Sequence, residues 1–349
     1  MPASPSHLGE SKMKRERIRR NGGSNYFSSP KTKLKFISSG CKTLDLALGG
    51  GWVRRRVANV VGDKSTGKTL LCIEASANFV ASVPKALVRY RESESAFDPS
   101  YAAALGMPVD KVDFGDPLET VEDLFEDLDR IVEGAKGPEL VICDSLDALS
   151  DRGEMGRDMD KGSYGADKAK KMSQLFRRLV RKMEAKDVTL IIVSQVRDKI
   201  GVSFGRKTTR SGGRALDFYA SQVLYLAHLG VLQRTVSNVK RPSGVIVRGK
   251  LDKNKVSLPF REAEFPILFG WGIDDMSACL NWLKEVGGLP LAGFKKTLKD
   301  SEIRAHSRAF MDGPGDEYRE ELDRLHEIVS DKWYSIEKTL LPTRTKYGA

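Results

Sequence analysis

Residues 62–69 read GDKSTGKT, set between the apolar run VANVV (57–61) and the apolar-patterned stretch LLCIEASANFV. A G-x-x-x-x-G-K-S/T octet in this setting leaves a chain few choices: a buried strand, a tight loop and a helix starting at the lysine. Gly62 and Gly67 let the backbone wrap so that successive amide N–H groups face one point, where the helix N-terminus adds partial positive charge. Gly62, Asp63, Lys64, Ser65, Thr66, Gly67, Lys68, Thr69 and Leu70 are therefore the candidate cradle for nucleotide phosphates. Lys68 has the reach for the β- and γ-phosphates, and the Thr69 hydroxyl suits Mg²⁺.

The rest of the chain repeats the strand–helix alternation. Short β-branched runs at 86–90, 139–143 and 188–193 are separated by helical patterns at 68–80, 118–133 and 168–186. This pattern predicts an α/β fold, a P-loop NTPase core with a mostly parallel sheet flanked by helices. CKTLDLALGGG (41–51) predicts a short amphipathic helix stopped by a glycine triplet. After Gly212, QVLYLAHL, VLQRTVS, GVIVRGKLD and AEFPILF follow closely and predict an antiparallel edge extension. Three regions are expected: a basic flexible N-terminal arm (1–33), the ATPase core (34–274) and a small, mostly helical C-terminal lobe (275–349).

Composition narrows the class of partner. Fifty-eight Lys and Arg against 47 Asp and Glu give a formal charge of +11, which suits a polyanion. Residues 12–20, KMKRERIRR, hold six of those positive charges. No apolar run approaches the ~18 residues of a membrane span, and the N-terminus lacks the apolar core of a secretory signal. Cys41, Cys72, Cys143 and Cys279 form no C-x-x-C pair, so their spacing predicts buried thiols in a reducing compartment, with neither a zinc centre nor a disulfide framework. A cytoplasmic, membrane-free protein is expected.

Strand ends supply the remaining chemistry. ELVICDS brings Asp144, followed by Ser145, to the C-terminal edge of the sheet, where ligands of α/β proteins bind, and makes Asp144 the second candidate Mg²⁺ residue. ALVRYRESESAFDP places Glu92 and Glu94 just beyond another strand, and either could polarise a water towards the γ-phosphate. Ser194 and Gln195 end a further strand and are candidate γ-phosphate sensors.

Taken together these segments resemble the RecA recombinase family over roughly residues 36–290. ISSGCKTLDLALGGG looks like its opening segment, ESESAFDPSYAAALG its acidic motif, and ICDSLDALS its Mg²⁺ strand. SQVRDKIGVSFGRKTTRSGGRALDFYAS is similar to the sensor glutamine and mobile DNA loop, and KNKVSLPFREAEFPILFGWGI to the run that ends the core. The resemblance implies that Glu94 activates water, that Asp98, Tyr101 and Phe269 lie about the adenine, and that Gln195 couples the γ-phosphate to the loop after it. It also implies that Lys253 and Lys255 reach the ATP of a neighbouring subunit; taken alone, KNK reads as an exposed basic turn.

Two segments are expected to hold DNA. The segment 197–213 carries Arg197, Lys199, Arg206, Lys207 and Arg210 for phosphates, Ile200, Val202 and Phe204 as an apolar tip for unstacked bases, and Gly212 and Gly213 for close backbone approach. The segment 151–165 presents Tyr164 where the family uses an aliphatic wedge, and the helix after it offers Ser173 and Arg177. The resemblance implies a DNA-dependent ATPase using ATP and Mg²⁺, assembled as a homo-oligomeric helical filament on single-stranded DNA. Such a filament pairs with double-stranded DNA and works alongside single-strand-binding or mediator proteins in a bacterial or phage-infected cell. The charged 151–165 segment and basic arm depart from the bacterial pattern and suit a phage-encoded or otherwise atypical member. An accessory paralogue without strand exchange and, less favoured, a hexameric motor are the alternatives.

Overall fold

The central parallel strands, at 57–61, 140–143 and 190–193, are apolar at nearly every position, because both faces of the sheet are covered there. In ELVICD, Leu140 and Ile142 join one buried cluster while Val141 and Cys143 join the other, the two-residue period of a strand. The structure is a computed structural model that describes residues 34–155, 164–198, 208–210, 213–343 and 346. Residues Phe36–Ala349 form one compact unit.

In chain order, β1 (Phe36–Ile37) and β2 (Trp52–Val53) pair antiparallel on either side of α1 (Lys42–Leu48). Then β3 (Val57–Gly62) feeds α2 (Lys68–Ser82), and β4 (Leu87–Glu92) feeds α3 (Pro99–Ala104) and β5 (Val112–Asp113). Next, α4 (Val121–Gly134) precedes β6 (Glu139–Asp144), and the short α5 (Arg152–Met155) is followed by α6 (Tyr164–Lys186) and β7 (Val188–Asp198). The strand β8 (Thr208–Arg210) and helix α7 (Gly213–Tyr219) lead to β9 (Gln222–Val236), β10 (Val239–Asn254), β11 (Glu262–Leu268) and β12 (Gly272–Ile273). The chain then runs through α8 (Asp275–Glu285), α9 (Asp300–Met311) and α10 (Gly315–Leu340).

The main sheet has the order β12-β11-β10-β9-β3-β7-β6-β4-β5, with β8 paired to β7. The six strands from β9 to β5 are parallel, and β10, β11 and β12 extend them antiparallel. Each expected strand and helix of the core is present, with three adjustments. The two runs QVLYLAHL and VLQRTVS are one strand, because Gly230 stays extended and the chain turns only at Ser237 and Asn238, whose φ values of 50° and 63° suit a two-residue hairpin. The strand at 188–193 continues to Asp198, where β8 pairs with it. The helix expected from 168 starts at Tyr164.

The opening helix α1 is buried on most sides, so it is less amphipathic than its sequence suggests. It ends at Gly49 (φ 91°), and the N–H groups of Gly50 and Gly51 both return to the Asp45 carbonyl. One core cluster lies between the sheet, α2 and the C-terminal helices; Leu44, Phe79, Tyr90, Leu280, Val329 and Trp333 all belong to it. The other, including Val61, Phe125, Phe176 and Leu216, lies under α4, α6 and α7. Arg261 grips Glu337 through two hydrogen bonds of 2.7 and 2.6 Å, tying α10 to the β10–β11 turn. Among the described residues no helix is long and apolar enough to cross a membrane.

Candidate nucleotide-binding site

The C-terminal ends of β3, β7, β6 and β4 lie side by side, with Gly62 in register with Gln195 and Glu92 with Asp144. Residues from four distant parts of the sequence are thereby delivered to one edge. At the P-loop, Gly67 has φ 83°, and a Cβ there would also meet Ile267 Cδ1 at 2.5 Å. The Thr66 hydroxyl donates to the Asp63 carbonyl at 2.8 Å and Lys68 Nζ donates to the same carbonyl at 2.7 Å, closing the loop across its mouth. Asp63, Lys64, Ser65 and Thr69 are exposed, whereas Leu70 is buried, so only its N–H is available to a phosphate.

Asp144 is buried at the end of β6 and accepts a 2.8 Å hydrogen bond from the Tyr90 hydroxyl. Burial is the main force holding its carboxyl above the usual range; hydrogen bonds from Thr69 and Tyr90 oppose that, and Glu94 adds to it. Around Lys68, burial lowers the ammonium pKa, while Asp144, Glu94, Asp63 and Asp147 pull it back up. One lysine among four carboxylates leaves an excess of negative charge. A threonine hydroxyl bonded to a buried carboxylate is also the hard-oxygen donor set that Mg²⁺ takes, so Thr69 and Asp144 fit the ion.

The geometry separates the two glutamates. Glu92 accepts from the N–H groups of Glu94, Ser95 and Ala96 at 2.8, 2.8 and 3.1 Å, so its carboxylate is spent on holding the turn. Glu94 Oε1 instead accepts from the Ser145 hydroxyl and from Gln195 Nε2, the latter at 3.0 Å. Ser93 and Ser145 brace each other: the Ser145 N–H donates to Ser93 Oγ at 3.0 Å and Ser93 Oγ donates to the Ser145 carbonyl at 2.7 Å. Gln195 is fixed by its backbone N–H, which donates to Asp147 at 2.6 Å. Ser194, on the opposite face of β7, is fully buried and accepts from Asn59 at 3.0 Å; it is a core residue rather than a sensor.

Sequence reasoning missed Asp147 and Tyr90. Asp147 lies three residues beyond Asp144 in CDSLDALS, and a second carboxylate so close to a strand end was the available signal. Tyr90 carries no signal in its own segment, because its role depends on β4 lying against β6. Glu74, further along α2, was also unflagged. Burial raises its carboxyl to about 7; the Ile273 N–H opposes the shift and the charge of Asp275 adds to it. A carboxyl raised from 4.5 to about 7 binds its proton more tightly folded than unfolded. Its contribution is therefore greatest below pH 4.5 and falls away as pH rises to about 7. Glu74→Gln is expected to remove that slope and add on the order of 2–3 kcal/mol at pH 8. Urea titrations of both chains from pH 5 to 8 in buffer free of divalent cations check it; parallel pH profiles would contradict it.

A family model described as the RecA N-terminal domain matches residues 15–274. The chain belongs to the RecA family. It is 37% identical over 255 residues to Protein RecA of Nostoc punctiforme, covering 73% of this chain and 68% of that one. It is 36% identical over 267 residues to Protein RecA of Arthrospira platensis, covering 76% of this chain and 70% of that one. It is also 38% identical over 257 residues to Protein RecA of Synechococcus sp. strain CC9311, covering 73% of this chain and 64% of that one. The matched segment spans about two thirds of the length of these relatives.

The other residues expected of a RecA-family site are placed as follows. Asp98 caps α3, accepting from Ser100 and Tyr101 N–H at 2.9 and 3.1 Å, and Tyr101 is half-buried beside Glu74. Phe269 is exposed at the end of β11, the strand whose Ile267 abuts Gly67. Lys253 donates to the Asp217 and Phe218 carbonyls, and Lys255 donates to Phe218 O at 3.2 Å with its ammonium 5.9 Å from the Phe218 ring centroid. Both lysines thus sit on the carbonyl end of α7. Ser173 is half-buried and Arg177 exposed on α6, which Tyr164 begins. Arg197 and Arg210 lie on the β7–β8 pair, and Gly213 starts α7. Lys199, Ile200, Val202, Phe204, Arg206, Lys207 and Gly212 lie outside the described residues, as does the arm 1–33.

Proposed function

We propose that this chain is an ATP-dependent recombinase that polymerises on single-stranded DNA, hydrolyses ATP when DNA is bound, and pairs the strand with homologous duplex. The observation that carries this reading is the position of Gln195. Its side chain holds the Glu94 carboxylate, and its strand ends at Asp198, directly before the 199–207 segment. A contact at the γ-phosphate is in this way mechanically continuous with the basic, apolar-tipped segment proposed to hold DNA.

The residues divide the work. The P-loop amides and Lys68 bind the phosphates, and Thr69 and Asp144 would hold Mg²⁺, which offsets phosphate charge. Glu94, steadied by Ser145 and Gln195, takes the proton of the attacking water. Lys253 and Lys255 leave the α7 carbonyls to stabilise charge on a neighbour's phosphates, as an arginine finger does. Arg197, Arg206, Lys207 and Arg210 neutralise DNA phosphates without reading bases. Residues 34–274 carry the ATPase machinery, and the helices of 275–349 pack into the same core cluster.

Electron microscopy with single-stranded DNA and a non-hydrolysable ATP analogue tests this reading. Continuous helical filaments are expected, whereas closed rings or discrete particles would contradict it. Phe204→Ala is expected to weaken single-stranded DNA binding by about 1–3 kcal/mol per stacked base while sparing nucleotide binding. Fluorescence anisotropy at fixed salt measures both, and unchanged DNA affinity would remove the wedge role.

A further inference from the structure

Asp275 and Cys279 lie one turn apart on α8, and His326 of α10 packs against them. A carboxylate oxygen, the thiol sulfur and an imidazole nitrogen all lie within 4.8 Å of one another, with Asp275 and Cys279 buried and His326 half-buried. These are three donor types that zinc accepts, at ~2.0–2.3 Å from the ion, which sets tetrahedral donors roughly 3.2–3.8 Å apart. The observed separations bracket that spacing: His326 Nε2 is 2.6 Å from Asp275 Oδ2, and Cys279 Sγ is 3.8 Å from Asp275 Oδ1.

Two further features suit a cation. The Lys42 N–H donates to Asp275 Oδ1 at 2.7 Å and so fixes the carboxylate with Oδ2 turned towards His326, the kind of supporting bond that orients metal ligands. Asp275 also lies close enough to Cys41, Asp45, Glu74 and Tyr318 to make ionising each of them costlier. A divalent ion would relieve that concentration of negative potential.

We propose that Asp275, Cys279 and His326 form a structural zinc site that staples the C-terminal helix α10 to α8 and the core. Binding expels the Cys279 thiol proton, His326 offers the Nε2 lone pair of a neutral imidazole that keeps its proton on Nδ1, and the ion is inserted between the three donors. C-x-x-C spacing could not reveal such a site, because its ligands are one helical turn and 47 residues apart along the chain.

The test uses the full chain prepared without a polyhistidine tag, stripped with chelator and titrated with Co²⁺. One Co²⁺ per chain is expected, with a sulfur-to-cobalt charge-transfer band that Zn²⁺ displaces and a higher Tm when zinc is present. Cys279→Ser should abolish the band, and His326→Ala should weaken Zn²⁺ binding by about tenfold or more. Cys72→Ser should leave the band in place. Failure of the wild-type chain to take up either ion would reduce the cluster to an Asp275–His326 ion pair and overturn the proposal. So would a band that survives Cys279→Ser. Neither result bears on the P-loop chemistry, which uses none of these residues.

Discussion

A chain carrying Lys253→Ala together with Lys255→Ala is expected to lose DNA-stimulated ATP turnover by about 10³-fold or more, the scale of a charge supplied in trans to a phosphoryl transition state. The lysines stand side by side on the carbonyl end of α7, which begins at Gly213, the last residue of the proposed DNA segment. A carbonyl terminus carries only partial negative charge, so a neighbour's triphosphate would compete effectively for these ammonium groups. Nucleotide binding to the isolated chain should change little, because the P-loop amides and Lys68 are untouched. Steady-state hydrolysis with saturating single-stranded DNA, beside equilibrium binding of a fluorescent nucleotide, separates the two effects. Equal losses in both would point to misfolding or to a role in the chain's own site.

Glu94→Gln is expected to slow turnover by about 10²–10⁴-fold, the usual contribution of a positioned general base, with nucleotide and DNA binding retained. The amide keeps the size of the side chain and a carbonyl oxygen for the Ser145 hydroxyl and Gln195 Nε2, but it loses the charge that takes a proton. Glu92 is poorly placed to substitute, since three backbone N–H groups already occupy its carboxylate. Single-turnover hydrolysis measures the step directly. Unchanged rates would mean that another group activates the water.

The strand–helix alternation made the sheet legible, because parallel strands buried on both faces leave runs such as VANVV and ELVIC that little else in a globular chain produces. The same runs locate Gly62 and Asp144 at the sheet edge, since each directly follows one of them. What the sequence concealed depends on neighbours across the sheet. Glu92 and Glu94 are equivalent by alternation, and only the turn that folds three N–H groups onto Glu92 tells them apart. Ser194 and Gln195 are adjacent polar residues, yet the pleat buries the first against Asn59 and presents the second to Glu94. Tyr90 reaches Asp144 only because β4 lies beside β6, and His326 meets Asp275 only because α10 returns over α8.

In the proposed filament each ATP site is completed by the next subunit. Mixing the Glu94→Gln chain with the Lys253→Ala/Lys255→Ala chain probes this arrangement, because each alone is defective at a different half of the same interface. In a random equal mixture about a quarter of head-to-tail interfaces would join an intact Glu94 to intact lysines from its neighbour. Sites shared between subunits predict that DNA-dependent hydrolysis rises well above either parent, towards that fraction of the unmodified rate. Activity no greater than the average of the two parents would contradict a shared site and place all of the chemistry within one chain.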